Sequence, residues 1–167
     1  FPSYAKLAEG ADLLVINGAE CEPLLNTDYI LLKNEIDMVL TGVLEVIKHT
    51  SISKAYIAVK SHNVERLGWQ DGEKLANGVY VRALPDVYPV GDEISLIYEA
   101  TGRLVKPGKL PITEGIIVYN VETMYNLGVG VRFSKPVTTK WLTIAGDIKK
   151  PTVIKVPIGA KISDIFE

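Results

Sequence analysis

One cysteine and two histidines are all that 167 residues provide for thiol or imidazole chemistry. Cys21 alone closes no internal disulfide, and alone it holds neither an iron–sulfur cluster nor a structural zinc. No signal peptide is expected, and a reducing cytoplasmic setting fits this cysteine usage. An excess of charge of one sign is missing as well. Eighteen Lys and Arg stand against twenty Asp and Glu, a net −2 with no basic cluster, so a general electrostatic nucleic-acid binder is not expected. The longest apolar stretches, such as residues 115–121, are far too short to cross a bilayer, so direct membrane insertion is not expected. Internal repeats and low-complexity tracts are absent.

What remains is an ordinary globular composition. At 47% hydrophobic and 23% charged residues the chain can build a core, and its length suits one domain or one domain plus part of another. Asp12-Leu13-Leu14-Val15-Ile16 reads as a strand covered on both faces. The loop Asn17-Gly18-Ala19-Glu20-Cys21-Glu22-Pro23 follows. Next comes a long helix with Asn26 or Thr27 as N-cap and an apolar face at Ile30, Ile36, Val39, Leu40, Val43 and Ile47. Residues 54–60 read as the next strand, and the helical crossover between the two requires parallel pairing. Residues 64–77, with Gly68 and Gly72, read as an interrupted helix, and 79–84 as a strand ending at Pro85. A helix over 92–100 and a fourth buried strand, Ile116-Ile117-Val118-Tyr119, complete the pattern, with a helix from Glu122 to about Leu127. The character changes after Gly130: 137–145 and 152–156 are short strands. The expected architecture is therefore α/β, with a mostly parallel four-stranded sheet over residues 1–136. The start of a smaller β-rich domain over 137–167 follows.

In open α/β sheets, ligands bind beyond the carboxyl ends of the strands. Two loops there are unusually polar, residues 17–23 and Asn120-Val121-Glu122-Thr123, and each opens with asparagine. A carboxamide offers donor and acceptor together, which suits a heterocycle edge or a phosphate. It serves equally as a turn or cap residue. Glu20 and Glu22, two apart, face the same way if that segment is extended. Acids beside Cys21 disfavour its thiolate, so a nucleophile is not expected there. His49 and His62 have no Cys, Asp or His at metal-ligand spacing, and each reads as a surface or helix-end histidine. Gly91-Asp92-Glu93 reads as a helix start or as a third wall of the same pocket. No Ser/His/Asp or Cys/His arrangement marks a hydrolase.

These segments resemble the C subunit of the Rnf electron-transport complex and its relatives, the cobalamin reductase of propanediol-degrading microcompartments and RnfC-like proteins of amino-acid-fermenting anaerobes. More distantly, they are similar to the flavin-carrying, NADH-oxidising subunit of respiratory complex I. The strongest segment is Ile16-Asn17-Gly18-Ala19-Glu20-Cys21-Glu22-Pro23. Supporting segments are residues 1–7 (Phe-Pro-Ser-Tyr-Ala-Lys-Leu), Tyr88-Pro89-Val90-Gly91-Asp92-Glu93 and Asn120-Val121-Glu122-Thr123. Leu142-Thr143-Ile144-Ala145-Gly146-Asp147 with Lys150-Pro151 and Val156-Pro157-Ile158-Gly159 resembles the opening of a soluble-ligand-binding β-grasp domain.

The resemblance implies a three-layer, Rossmann-like FMN-binding domain that accepts hydride from NADH and passes electrons onward singly. It places Lys6 against the flavin phosphate, and Asn17, Asn120 and Thr123 along the flavin. Glu20, Glu22 and Glu93 border the flavin and the nicotinamide, with Phe1 stacked near that ring. It implies no protein acid or base as catalyst, because hydride transfer needs alignment and a shielded pocket. The complex I relatives carry an aspartate where this chain has Ala19, whereas the Rnf-type branch shares the alanine. In the family a glycine-rich phosphate loop precedes the Phe-Pro pair, and cysteine clusters hold 4Fe-4S centres elsewhere. The chain accordingly reads as a piece of a longer electron-transfer subunit, expected by itself to retain little FMN. Other subunits of the complex would be its partners, and any membrane association would come through them. A docking module without flavin is the alternative.

Overall fold

The computed structural model describes residues 6, 7 and 10–166. Strand β1 (Leu13–Asn17) is an inner strand, between β2 and β5, of a five-stranded sheet of order β3-β4-β2-β1-β5, in which β3 is Lys74–Ala76. β2 (Lys54–Lys60), β4 (Val79–Leu84) and β5 (Ile116–Asn120) are the other parallel strands. Side chains alternate across this sheet. Leu14, Ile16, Ile57, Val81 and Ile117 enter one core, and Leu13, Val15, Ala58, Ile116 and Val118 enter the other. A sheet covered on both faces needs continuous apolar runs, and each fully buried aliphatic side chain contributes about 1.5–3 kcal/mol.

Helices α1 (Thr27–Asn34), α2 (Ile36–Lys48), α3 (Ser61–Leu67) and α5 (Val121–Phe133) supply the first core, and α4 (Glu93–Thr101) supplies the second. The chain steps from β1 to β2 to β4 on one side, then returns past β1 to lay down β5 on the other. Right-handed crossovers running in opposite directions place their helices on opposite faces, which puts α4 alone on its side. The strand order therefore reverses between β1 and β5, and a crevice opens at their carboxyl ends.

Two glycines set the spacing of the helical layer. A Cβ on Gly42 of α2 would lie 2.0 Å from the Met124 carbonyl oxygen, and one on Gly128 of α5 would lie 2.0 Å from that of Met38. The two backbones thus touch directly where these helices cross.

The sheet has five strands rather than four. The segment expected to be an interrupted helix ends as α3 at Leu67, with Gly68 left-handed at its C-cap. It then forms β3 (Lys74–Ala76), an antiparallel edge strand against β4. Gly72 and Gly78, both at positive φ, make the turns that a continuing helix could not. The single long helix divides at Glu35 into α1 and α2. The helix after β5 runs on to Phe133, six residues beyond its expected end. Beyond it, β6 (Thr139–Ile144) and β7 (Thr152–Pro157) form an antiparallel pair, followed by α6 (Ile162–Phe166).

The pair is fastened to the α/β layer at several points. Glu122, almost fully buried, pairs with the Lys140 ammonium and accepts from the Trp141 backbone N–H at 3.1 Å. Trp141 meets Tyr125 edge-on at 6.1 Å, Lys155 donates to the Tyr125 hydroxyl at 2.7 Å, and the Thr27 and Thr143 hydroxyls lie 2.8 Å apart.

Candidate functional site

Asn17 ends β1 and Asn120 ends β5, and the two are register partners at the reversal of strand order. Each carboxamide is held by local structure. Asn17 Oδ1 accepts from the Ala19 N–H at 3.0 Å, and its Nδ2 donates to the Gly91 carbonyl at 2.9 Å. This ties the loop after β1 to the loop after β4. Asn120 is the N-cap of α5, its Oδ1 accepting from the Glu122 N–H at 2.8 Å. Its Nδ2 reaches the Asn17 carbonyl at 3.4 Å and the Asp28 carboxylate at 3.1 and 3.3 Å.

The two loops meet closely. A Cβ on Gly91 would fall 1.8 Å from the Ala19 carbonyl oxygen and 2.8 Å from Cys21 Sγ, so only glycine fits. The next residue, Asp92, caps α4 through the backbone N–H groups of Ile94 and Ser95. Glu93 then begins the helix with its carboxylate 3.1 Å from the Lys6 ammonium. Lys6 donates as well to the Val118 carbonyl at 3.0 Å and stands 5.9 Å from the Tyr119 ring centroid. Helix start and pocket wall, the two readings of residues 91–93, are thus compatible: one segment begins α4 and borders the crevice.

On the other flank lies a cluster of carboxylates. Glu20 turns inward, and its Oε1 accepts from the Asp28 N–H at 2.8 Å. It takes the role expected of the Asn26 or Thr27 side chain, since Asn26 sits at the N-cap position of α1 without a side-chain cap bond. Burial raises the Glu20 carboxyl above its usual range, opposed by the α1 backbone N–H groups. Asp28 is pushed up to about 7, by burial first and then by the Glu20 charge, against the Asn120 hydrogen bond. Asp28 is the residue that sequence reasoning missed. An acid in a first helical turn is commonplace in sequence, and only the β1–β5 pairing brings Glu20 and Asn120 to it.

The structure therefore gathers Lys6, Asn17, Glu20, Glu93 and Asn120 around one end of the sheet. Glu22 is exposed in a bend just before the chain turns at Leu24 with φ 68°, while Glu20 faces α1. Thr123 sits within α5, in a groove of about 570 Å³ shared with Leu7 and Tyr119. Phe1 lies outside the described residues. Cys21 is partly buried. His49 pairs with Glu45 and His62 with Asp86, and no group of three His, Cys, Asp or Glu among the described residues could hold a metal ion. No helix among the described residues is long and apolar enough to cross a membrane.

A doubly wound sheet with ammonium and carboxamide groups converging on its crevice is a nucleotide-binding arrangement, suited to a phosphate-bearing heterocycle. Comparison with known proteins narrows the class. The family described as the Nuo51 FMN-binding domain matches residues 1–129. The chain is 35% identical over 166 residues to cobalamin reductase PduS of Citrobacter freundii, covering 99% of this chain and 37% of that protein. It is 34% identical to the C subunit of the Na+-translocating ferredoxin:NAD+ oxidoreductase complex of Acetobacterium woodii, covering 100% of this chain and 39% of that one. In fold it is similar to a chain of the NAD+-reducing [NiFe]-hydrogenase in the H2-reduced state. There the TM-score is 0.78 and the identity 20%, over 99% of this chain and 35% of the other. This chain belongs to the Nuo51 FMN-binding domain family. It spans little more than a third of the length of the relatives it matches.

Proposed function

We propose that the chain is the flavin-binding part of an electron-transfer oxidoreductase subunit, in which NADH reduces FMN and electrons pass to 4Fe-4S centres elsewhere in a longer protein. Residues 1–136 form the FMN- and NADH-binding unit, and residues 137–167 open a β-grasp unit. The observation that carries this reading is the meeting of Asn17, Asn120, Lys6 and Glu93 at the β1–β5 reversal. FMN, when bound, supplies the conversion between two-electron and one-electron chemistry.

The residues present fit such a ligand. Lys6 is the cation for its phosphate, with Thr123 in the neighbouring groove. Asn17 and Asn120 are immobilised before any ligand arrives, so little ordering entropy opposes binding. Glu20, Glu22 and Glu93 contribute negative charge, which favours ribose hydroxyls and repels a 2′-phosphate, so NADH is preferred to NADPH. Other subunits of an electron-transfer complex are the partners, and the setting is cytoplasmic, peripheral to the membrane through them.

The whole protein is expected to purify yellow, or to quench the fluorescence of added FMN. A colourless protein that leaves FMN fluorescence unchanged would overturn the reading. The β6–β7 pair, two-stranded and anchored through Glu122, favours a second reading, a docking module without flavin. NADH-dependent dye reduction by the whole protein separates the two.

A further inference from the structure

Asp28 takes no part in the flavin contacts proposed above, yet it touches the residue at their centre. Asn120 Oδ1 is committed to the α5 cap, and its Nδ2 faces the Asp28 carboxylate at 3.1 and 3.3 Å. Three other charged groups face Asp28: Glu20 from the β1–α1 loop, Glu122 from the first turn of α5 and Lys140 from β6. Two carboxylates thus surround a third with a single ammonium to offset them.

We propose that Asp28 is a positioning residue that takes up one proton when an anionic flavin enters the crevice, leaving Asn120 Nδ2 bonded to a neutral acceptor. This rests on the FMN reading above. The proton comes from solvent and ends on the Asp28 carboxyl; no other bond is made or broken. Burial and the Glu20 charge already bring this carboxyl to about 7, and a phosphate brought into the crevice adds further negative potential. By reciprocity, flavin binds better to the protonated form.

The test is an FMN fluorescence titration of the whole protein from about pH 6 to about pH 9, repeated with Asp28→Asn and Lys140→Gln. Affinity of the unsubstituted protein is expected to fall by up to about tenfold per pH unit above about 7. Asp28→Asn should retain only the shallow dependence due to the flavin's own phosphate. Lys140→Gln removes the cation that lowers Asp28, so its break should move to higher pH. Riboflavin, which lacks the phosphate, should show no break with any of the three proteins. Parallel profiles for the unsubstituted protein and Asp28→Asn, or an unmoved break in Lys140→Gln, overturn the coupling while leaving FMN binding intact. No binding at any pH overturns the FMN reading, and the coupling with it.

Discussion

Asn17 and Asn120 lie side by side at the ends of neighbouring parallel strands, with the Asn120 amide nitrogen 3.4 Å from the Asn17 carbonyl oxygen. Neither carboxamide hangs free. One joins the loops after β1 and β4, and the other caps α5, so both side chains are fixed by the fold before a ligand is present.

Replacing Asn120 by alanine should therefore cost twice. Loss of the α5 cap is expected to lower stability by about 1 kcal/mol, seen in urea unfolding. FMN affinity of the whole protein should fall by more than that stability change explains. Asn120→Ser, which restores a cap, should recover the stability but not the affinity.

Gly91→Ala forces a Cβ to within 1.8 Å of a backbone oxygen, where no side chain can yield. The two loops must part, and a loss of about 2–3 kcal/mol is expected from overpacking of this kind. Amide hydrogen exchange would locate the damage: faster exchange at Ala19 and its neighbours, with the distant β2–β4 ladder unaffected.

Stability should fall with rising pH through Asp28. Its carboxyl titrates near 3.8 when unperturbed and near 7 in the folded chain. The folded state therefore holds the extra proton between those values, and unfolding releases it. The loss begins above the lower value and levels off above the upper one. Asp28→Asn should match the unsubstituted chain at about pH 4 and exceed it in melting temperature at about pH 8. Equal melting temperatures at the higher pH would contradict the burial of a titrating carboxylate.

Glu122→Gln leaves the Lys140 ammonium without its countercharge and weakens the tie to the Trp141 N–H. Since Glu122 is buried, a loss of about 1–3 kcal/mol is expected, concentrated in the β6–β7 attachment. Limited proteolysis should then cut first near residues 134–138. Unchanged cleavage kinetics would show that Trp141, Thr143 and Lys155 suffice to hold the pair.

Much of the sheet was legible in the chain because a strand buried on both faces must be apolar throughout, as Leu13–Ile16 and Ile116–Tyr119 are. The site was legible in part. Asparagine at a strand end is visible in sequence, but which strand lies beside which is not, and that adjacency gives Asn17 and Asn120 their relation. Strand β3 was hidden because three residues carry no period, and glycines that read as helix interruptions were turns. The inward turn of Glu20 follows from a tertiary demand, the unsatisfied N–H groups opening α1, to which alternation along the loop is blind.

Where α2 crosses α5, main chain rests on main chain, with Gly42 and Gly128 each facing the carbonyl four residues before the other. A seam of that kind contains no rotamers to adjust. Most of an apolar layer can drift through compensating swaps of bulk, because neighbours of different volume can trade space. This crossing has no such latitude: either glycine can be exchanged only if a helix moves, and one of the two helices is the one Asn120 begins. This unyielding seam thus sits about two helical turns from the crevice, and it fixes the direction from which α5 arrives there.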